Sequence, residues 1–243
     1  MIKWFIIILI AVPRIIYSTI KLAYMNKHKD KYSLKQRYDI VRKTACLVAK
    51  LTRRRYRLVN ENIIKEKHYN GRVYVSNHFN VFEAVALIEL SKKPLIFISK
   101  KEVLKVPFLK THAIAVDALF IDRKDVRQSL RICKQAGKLA KDGLDVVIFA
   151  EGTRSKDGNV APFKAALPTI IHYSECETIL LCMHNTQLPL KFRWITYPKE
   201  YVNIKFFEPL SYEFYLENRK KFNEITRDMI QTQLELFKKE YAK

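Results

Sequence analysis

Ser76-Asn77-His78-Phe79-Asn80-Val81-Phe82-Glu83 places an imidazole and a carboxylate with four residues between them, directly after the strand-like run Val73-Tyr74-Val75. A histidine in such a place can serve as a base when a neighbouring acid orients its ring. If a helix begins near Phe79, Glu83 lies about one turn in, within reach of one ring nitrogen and leaving the other free to take a proton from a substrate hydroxyl. About seventy residues on, Phe149-Ala150-Glu151-Gly152-Thr153-Arg154-Ser155 follows another apolar run. Gly152 allows close backbone approach there, and Arg154 offers a bidentate fork for phosphate. Between these segments, Leu119-Phe120-Ile121-Asp122-Arg123 supplies a second such cation, and Ser99-Lys100-Lys101-Glu102 a basic turn. A base, its carboxylate and fixed cations are what acyl transfer to a phosphate-bearing alcohol requires. Blander pairings remain open at this point: Glu151 with Arg154 inside one turn, and Asp122 with Arg123 as a surface ion pair.

Such groups act together only if the fold brings them to one edge. Short β-rich runs (72–75, 94–98, 113–121, 144–149, 178–183 and 202–207) alternate with helical patterns at 82–90 and 125–141. That alternation predicts an α/β fold with a mixed, largely parallel sheet flanked by helices, in which all four segments end strands at one sheet edge. Residues 215–241 read as a charged amphipathic helix. We divide the chain into an N-terminal membrane-associating segment, 1–58, and an α/β catalytic domain, 59–243.

The N-terminal segment opens with nine apolar residues, Trp4 to Val12, closed by Pro13 and Arg14. Crossing a bilayer takes roughly twenty, so this run enters one leaflet rather than spanning. A second helix starts at Ser33 as N-cap, carrying Lys35, Arg37, Arg42, Lys43 and Lys50 on one face, and Arg53-Arg54-Arg55 with Arg57 extends the charge. Together these describe a helical hairpin lying on lipid. The chain carries 45 Lys and Arg against 24 Asp and Glu, a net charge of +21, which calls for an anionic partner. No nucleic-acid reading module is recognisable, so an anionic phospholipid membrane is the expected partner and nucleic acid is not. The basic flank places the protein on the cytoplasmic face. Cys46, Cys133, Cys176 and Cys182 show no ligand or disulfide spacing, so no metal is expected.

From about residue 70 to 185, these four ordered blocks resemble the 1-acyl-sn-glycerol-3-phosphate acyltransferase family of glycerolipid acyltransferases. Asn77-His78 with Glu83 resembles the family's Asn-His-x4-Asp block, Phe120 to Arg123 its second block, and Phe149 to Ser155 its Phe-Pro-Glu-Gly-Thr-Arg-Ser block. Ile179 to Met183 stands where the family has a Pro-containing apolar strand. The resemblance implies catalysis by His78 and Glu83, and substrate binding by Asn77, Lys100, Lys101, Arg123, Glu151, Gly152, Thr153 and Arg154. It further implies transfer of a fatty acyl group from acyl-CoA or acyl carrier protein to the free hydroxyl of a lysophosphatidate-like acceptor, giving phosphatidic acid, with no resident cofactor. Glu83 replaces the family's Asp, Ala150 its Pro, and Ala166 a usual Gly. An acyltransferase with another acceptor, or a silent basic membrane-binding scaffold, are the alternative readings.

Overall fold

The computed structural model describes residues 2–51, 55–66, 70–155, 157–186 and 201–241, with side chains from residue 12 onward except at residue 51. In chain order the elements are α1 (Ile2–Lys27), α2 (Leu34–Leu51), β1 (Arg55–Val59), α3 (Asn62–Lys65), β2 (Val73–Ser76), α4 (Phe82–Leu90), β3 (Leu95–Lys100), α5 (Pro107–Ala115), β4 (Leu119–Ile121), α6 (Val126–Lys141), β5 (Asp145–Phe149), α7 (Ala166–Ser174), β6 (Thr178–His184), β7 (Tyr201–Phe206), α8 (Tyr212–Glu217) and α9 (Phe222–Glu240). The described strands form one seven-stranded sheet in the order β1-β7-β6-β2-β5-β3-β4. All neighbours are parallel except β6 and β7, which run antiparallel. This is the mixed, largely parallel sheet expected.

Helices cover both faces, which is why the central strands read as unbroken apolar runs. Alternate residues of each strand enter different cores: Tyr74, Val147 and Ile179 pack on one side with α2 and α4, and Val73, Val75, Val146 and Leu180 on the other beneath α6, α7 and α9. The register places Ser76 opposite both Phe149 and Leu181, and Lys100 opposite Ile121. The chain therefore leaves β2, β5, β6, β3 and β4 at the same edge.

Three expectations change. α1 continues through Pro13 to Lys27. Residues 113–121 are not one strand, because Pro107 starts α5, which runs to Ala115 before the left-handed Asp117 (φ 50°) turns into β4. The stretch 215–241 contains a break at Asn218–Lys221, where the Asn218 amide bonds back to the Phe214 carbonyl. β1, which spans the 58/59 division, was not anticipated; Arg57, assigned above to the basic flank, lies over the Tyr201 and Tyr241 rings at 4.2 and 4.5 Å. Arg53 and Arg54 lie outside the described residues.

Ser33 starts α2 through a reciprocal cap, its hydroxyl accepting from Gln36 N–H and its own N–H donating to Gln36 Oε1. One residue on, Arg37 departs from expectation. Instead of facing lipid it is buried, with its two terminal nitrogens forked onto Asp117 at 2.9 and 2.8 Å and one of them also donating to the Ala115 carbonyl. Lys29 joins the same carboxylate, so α2 and the turn that joins it to α1 are tied to the residues just past α5. Removing the anion should strand a buried guanidinium. Asp117→Asn is expected to lower stability by about 3 kcal/mol, read as a fall in melting temperature. Burial alone would raise the Asp117 pKa, but Arg37 and Lys29 outweigh it and hold the group below the ordinary carboxylate range. The folded value being depressed, the contact stabilises fully above the unfolded value near ~3.9 and is lost as pH falls through the lower folded value.

No helix of the described residues is long and apolar enough to cross a membrane. Along α1, however, Val12, Ile16, Ile20 and Tyr24 recur every fourth residue and are all exposed, while Leu22 and Met25 face inward.

Candidate active site

Between β2 and α4 the chain makes a short turn that fixes His78. Its Nδ1 lies 2.7 Å from Glu83 Oε2, and its ring stacks on Phe149 at 4.3 Å between centroids. Glu83 is fully buried in the first turn of α4, where its carboxylate accepts from the Phe79 N–H (3.1 Å), from the Asn80 N–H at both oxygens (2.9 Å each) and from the Thr186 hydroxyl. These amides belong to the turn that precedes α4, so the carboxylate both fastens the turn that carries His78 and receives the imidazole. With donors on every side, Glu83 is an acceptor. That assigns the proton to His78 Nδ1 and leaves Nε2 with a free lone pair. The side chain of His78 keeps 19% of its surface accessible, against none for Glu83, so the unprotonated nitrogen belongs to the only one of the pair that a substrate can reach.

After β5, Glu151 is also fully buried, with one oxygen accepting from the His78 N–H and the other from the Ala161 N–H, both at 2.8 Å. Burial raises its pKa, opposed by those two hydrogen bonds. Glu151 therefore joins the His78 backbone to the loop that follows. A second tie runs from Ser155 N–H to the His78 carbonyl at 2.8 Å. Gly152 has φ +70°, a conformation that a side chain would strain. Thr153 and Arg154 project from this turn and are exposed.

The two blander pairings do not form. Asp122 is engaged by Lys101 and by the Lys124 N–H, and Glu151 by backbone amides. Arg123, Arg154 and Lys100 are exposed and have no ion pair or hydrogen bond among the described residues. Lys101, assigned with them to substrate binding, is occupied by Asp122 instead. β5 adjoins β2, whereas β4 lies three strands away, about 14 Å at the usual spacing. Arg154 is thus near His78, and Arg123 lies on the same sheet edge three strands away.

Two further assignments are corrected. Asn77 is fully buried, and its amide both donates to the Met183 carbonyl and accepts from the Met183 N–H at 2.8 Å. It fastens β2 to β6, and its full burial keeps it out of a ligand's reach. Glu151 likewise shapes the site from beneath rather than touching its contents.

Thr186 was missed. It is buried just past β6, 103 residues from Glu83, and no local pattern marks a lone hydroxyl at that separation. Its bond to Oε1 fixes the carboxylate plane that points Oε2 at His78. Thr186→Val is expected to lower kcat by about tenfold with KM for both substrates retained, and Thr186→Ser to restore it. Steady-state kinetics of the pair tests this, since a purely structural role would move melting temperature and not the split between kcat and KM.

The chain is 24% identical over 148 residues to a 1-acyl-sn-glycerol-3-phosphate acyltransferase of Cocos nucifera, a match covering 60% of this chain and 48% of that one. It is 36% identical over 98 residues to a chloroplastic 1-acyl-sn-glycerol-3-phosphate acyltransferase of Brassica napus (40% and 28%), and 27% identical over 105 residues to one of Borreliella burgdorferi (43% and 41%). The match thus spans half or less of these relatives' lengths. The fold is that of the crystal structure of the 1-acyl-sn-glycerophosphate acyltransferase PlsC from Thermotoga maritima, with a TM-score of 0.68 at 20% identity over 96% of this chain and 93% of that one. The sequence profile described as Acyltransferase matches residues 55–183, more than half of the chain and every segment of the site up to the end of β6, and so this chain belongs to the acyltransferase family.

Proposed function

We propose that the protein transfers a fatty acyl group from a thioester donor, acyl-CoA or acyl carrier protein, to the free hydroxyl of 1-acyl-sn-glycerol 3-phosphate, giving phosphatidic acid. The observation that carries this reading is the His78–Glu83 pair at one sheet edge with two uncommitted arginines. Nε2 of His78 removes the hydroxyl proton as the oxygen attacks the thioester carbonyl, and Glu83 stabilises the imidazolium that results. The tetrahedral adduct then expels the thiolate, which takes the proton back from Nε2, so the base is regenerated without an acyl-enzyme. Arg154, with Lys100 and Arg123, holds the acceptor phosphate and sets the hydroxyl against the carbonyl, which removes much of the entropic part of the barrier. The exposed apolar stripe of α1 would rest on the membrane that supplies the acceptor, with Lys21, Lys27 and Lys31 toward the lipid phosphates.

Loss of one charged contact to phosphate costs about 1.5–3 kcal/mol. Arg154→Ala and Arg123→Ala are therefore each expected to raise KM for lysophosphatidate by about 10–100-fold while donor KM stays near its original value. The same variants should barely change the poor use of an uncharged monoacylglycerol. Unchanged lysophosphatidate KM in both variants would remove the phosphate assignment, and a preference for glycerol 3-phosphate or another lysolipid would move the acceptor while keeping the reaction.

A further inference from the structure

The outer face of α6 carries Arg127, Arg131, Lys134, Lys138 and Lys141 at spacings of three and four, and the helix contains no acid. Two of the five are engaged at home, Lys134 over the Tyr173 ring at 5.2 Å and Lys141 with Glu175 at 2.7 Å. Arg127, Arg131 and Lys138 have no ion pair or hydrogen bond among the described residues. Basic residues near a helix C-terminus are favoured by the dipole, which accounts for Lys138 and Lys141. Arg127 sits in the first turn, where the dipole opposes a cation, and the nearest acid, Asp125, is occupied as the N-cap by Gln128 N–H. Beside the stripe, Val126 and Leu130 are 77% and 45% exposed, an apolar pair on the turn nearest the site.

We propose that this face docks an acidic, helical acyl carrier protein, so that its thioester arm is delivered over the start of α6 to His78. The proposal rests on the function given above and selects the kind of donor. Three observations favour a protein over the other anions. From Arg127 to Lys138 the stripe runs about 16 Å, longer than the phosphates of acyl-CoA need. Its exposed apolar pair suits a protein surface with a dry centre and a charged rim. α6 also covers the sheet face opposite the one that packs against α2 and α4, so a membrane lying along the hairpin does not reach it. Charge complementarity of this kind acts chiefly on encounter and is sensitive to salt.

The test reverses the three free charges together, Arg127→Glu, Arg131→Glu and Lys138→Glu, in the full chain. None of them lies in the catalytic or phosphate-binding set, and Arg127→Glu suits the helix dipole, so folding is expected to survive and is checked by circular dichroism. Kinetics with acyl carrier protein and acyl-CoA bearing the same chain are paired with a direct titration of acyl carrier protein and with sedimentation on vesicles containing phosphatidylglycerol. The expected result is a KM for acyl carrier protein raised about tenfold or more, loss of its salt dependence, weaker binding in the titration, and unchanged use of acyl-CoA. Unchanged carrier binding overturns the proposal, as does a variant that loses vesicle binding while keeping the carrier, which would make α6 a lipid-facing surface. A parent protein that turns over neither donor would refute the proposed function, and the titration would still decide the docking face.

Discussion

His78→Ala is expected to lower acyl transfer on the order of 10³-fold or more while leaving the melting temperature and vesicle binding near those of the parent. The magnitude follows from what the residue does. General-base catalysis contributes about 10²–10⁴, and with Nε2 gone no other described base stands at the end of β2. Glu83 cannot substitute, because both of its oxygens are engaged by Phe79, Asn80 and Thr186. The fold has little reason to suffer. His78 contributes its backbone to Glu151 and Ser155, and alanine keeps those bonds. The imidazole rests on Phe149 and bonds Glu83 at a partly exposed rim, and without it Glu83 keeps its donors from Phe79, Asn80 and Thr186. Turnover within tenfold of the parent would mean that some other group deprotonates the acceptor.

The second large effect is expected at Glu83. Glu83→Gln keeps the shape and removes the charge, but the amide offers one acceptor where four donors converge, and its NH₂ must face another donor whichever way it turns. Turned toward Nδ1, it forces the opposite tautomer and puts the proton on Nε2, where the lone pair is needed. A comparable tautomer error in a hydrolase triad costs about 10⁴, and a loss on the order of 10³ is expected here, with about 1–3 kcal/mol of stability from the unmatched buried donors. Glu83→Asp restores the acid that the family resemblance leads one to expect, yet the turn from Phe79 to Phe82 is fitted to the longer side chain. A shortfall near 1 Å costs about 10²-fold. The order parent, Asp, Gln is the prediction; equal losses for Asp and Gln would show that charge at this position matters less than reach.

The spacing of His78 and Glu83 was informative because both sit on one local turn, where sequence distance nearly fixes spatial distance. The same holds for α4 and α6, whose apolar periodicity matches their observed extents, and for the strand ends that carry Glu151 and Asp122. What could not be read depends on contacts between remote segments. Arg37 looked like one basic residue among several on an amphipathic face, and only the approach of Asp117 from α5 makes it a buried ion pair. Asn77 is a ligand residue by the family resemblance alone, and the partner that takes it, Met183, lies 106 residues away. β1 escaped because its alternation of Arg55, Tyr56, Arg57 and Leu58 reads first as charge, and only the parallel partner β7 gives it a strand's role. Charge alone also overstated Lys101, which Asp122 had already claimed, and understated Arg154, whose apparent partner Glu151 is buried beneath it.

Conversion of lysophosphatidate to phosphatidate by the purified protein in vesicles, followed by mass spectrometry with acyl-CoA and with acyl carrier protein as donors, tests the account most directly. Phosphatidate formed by the parent and not by His78→Ala, with no acyl group retained on the protein, is the predicted result. Folded parent protein that makes no phosphatidate from either donor, or His78→Ala that makes it as fast, would contradict the account.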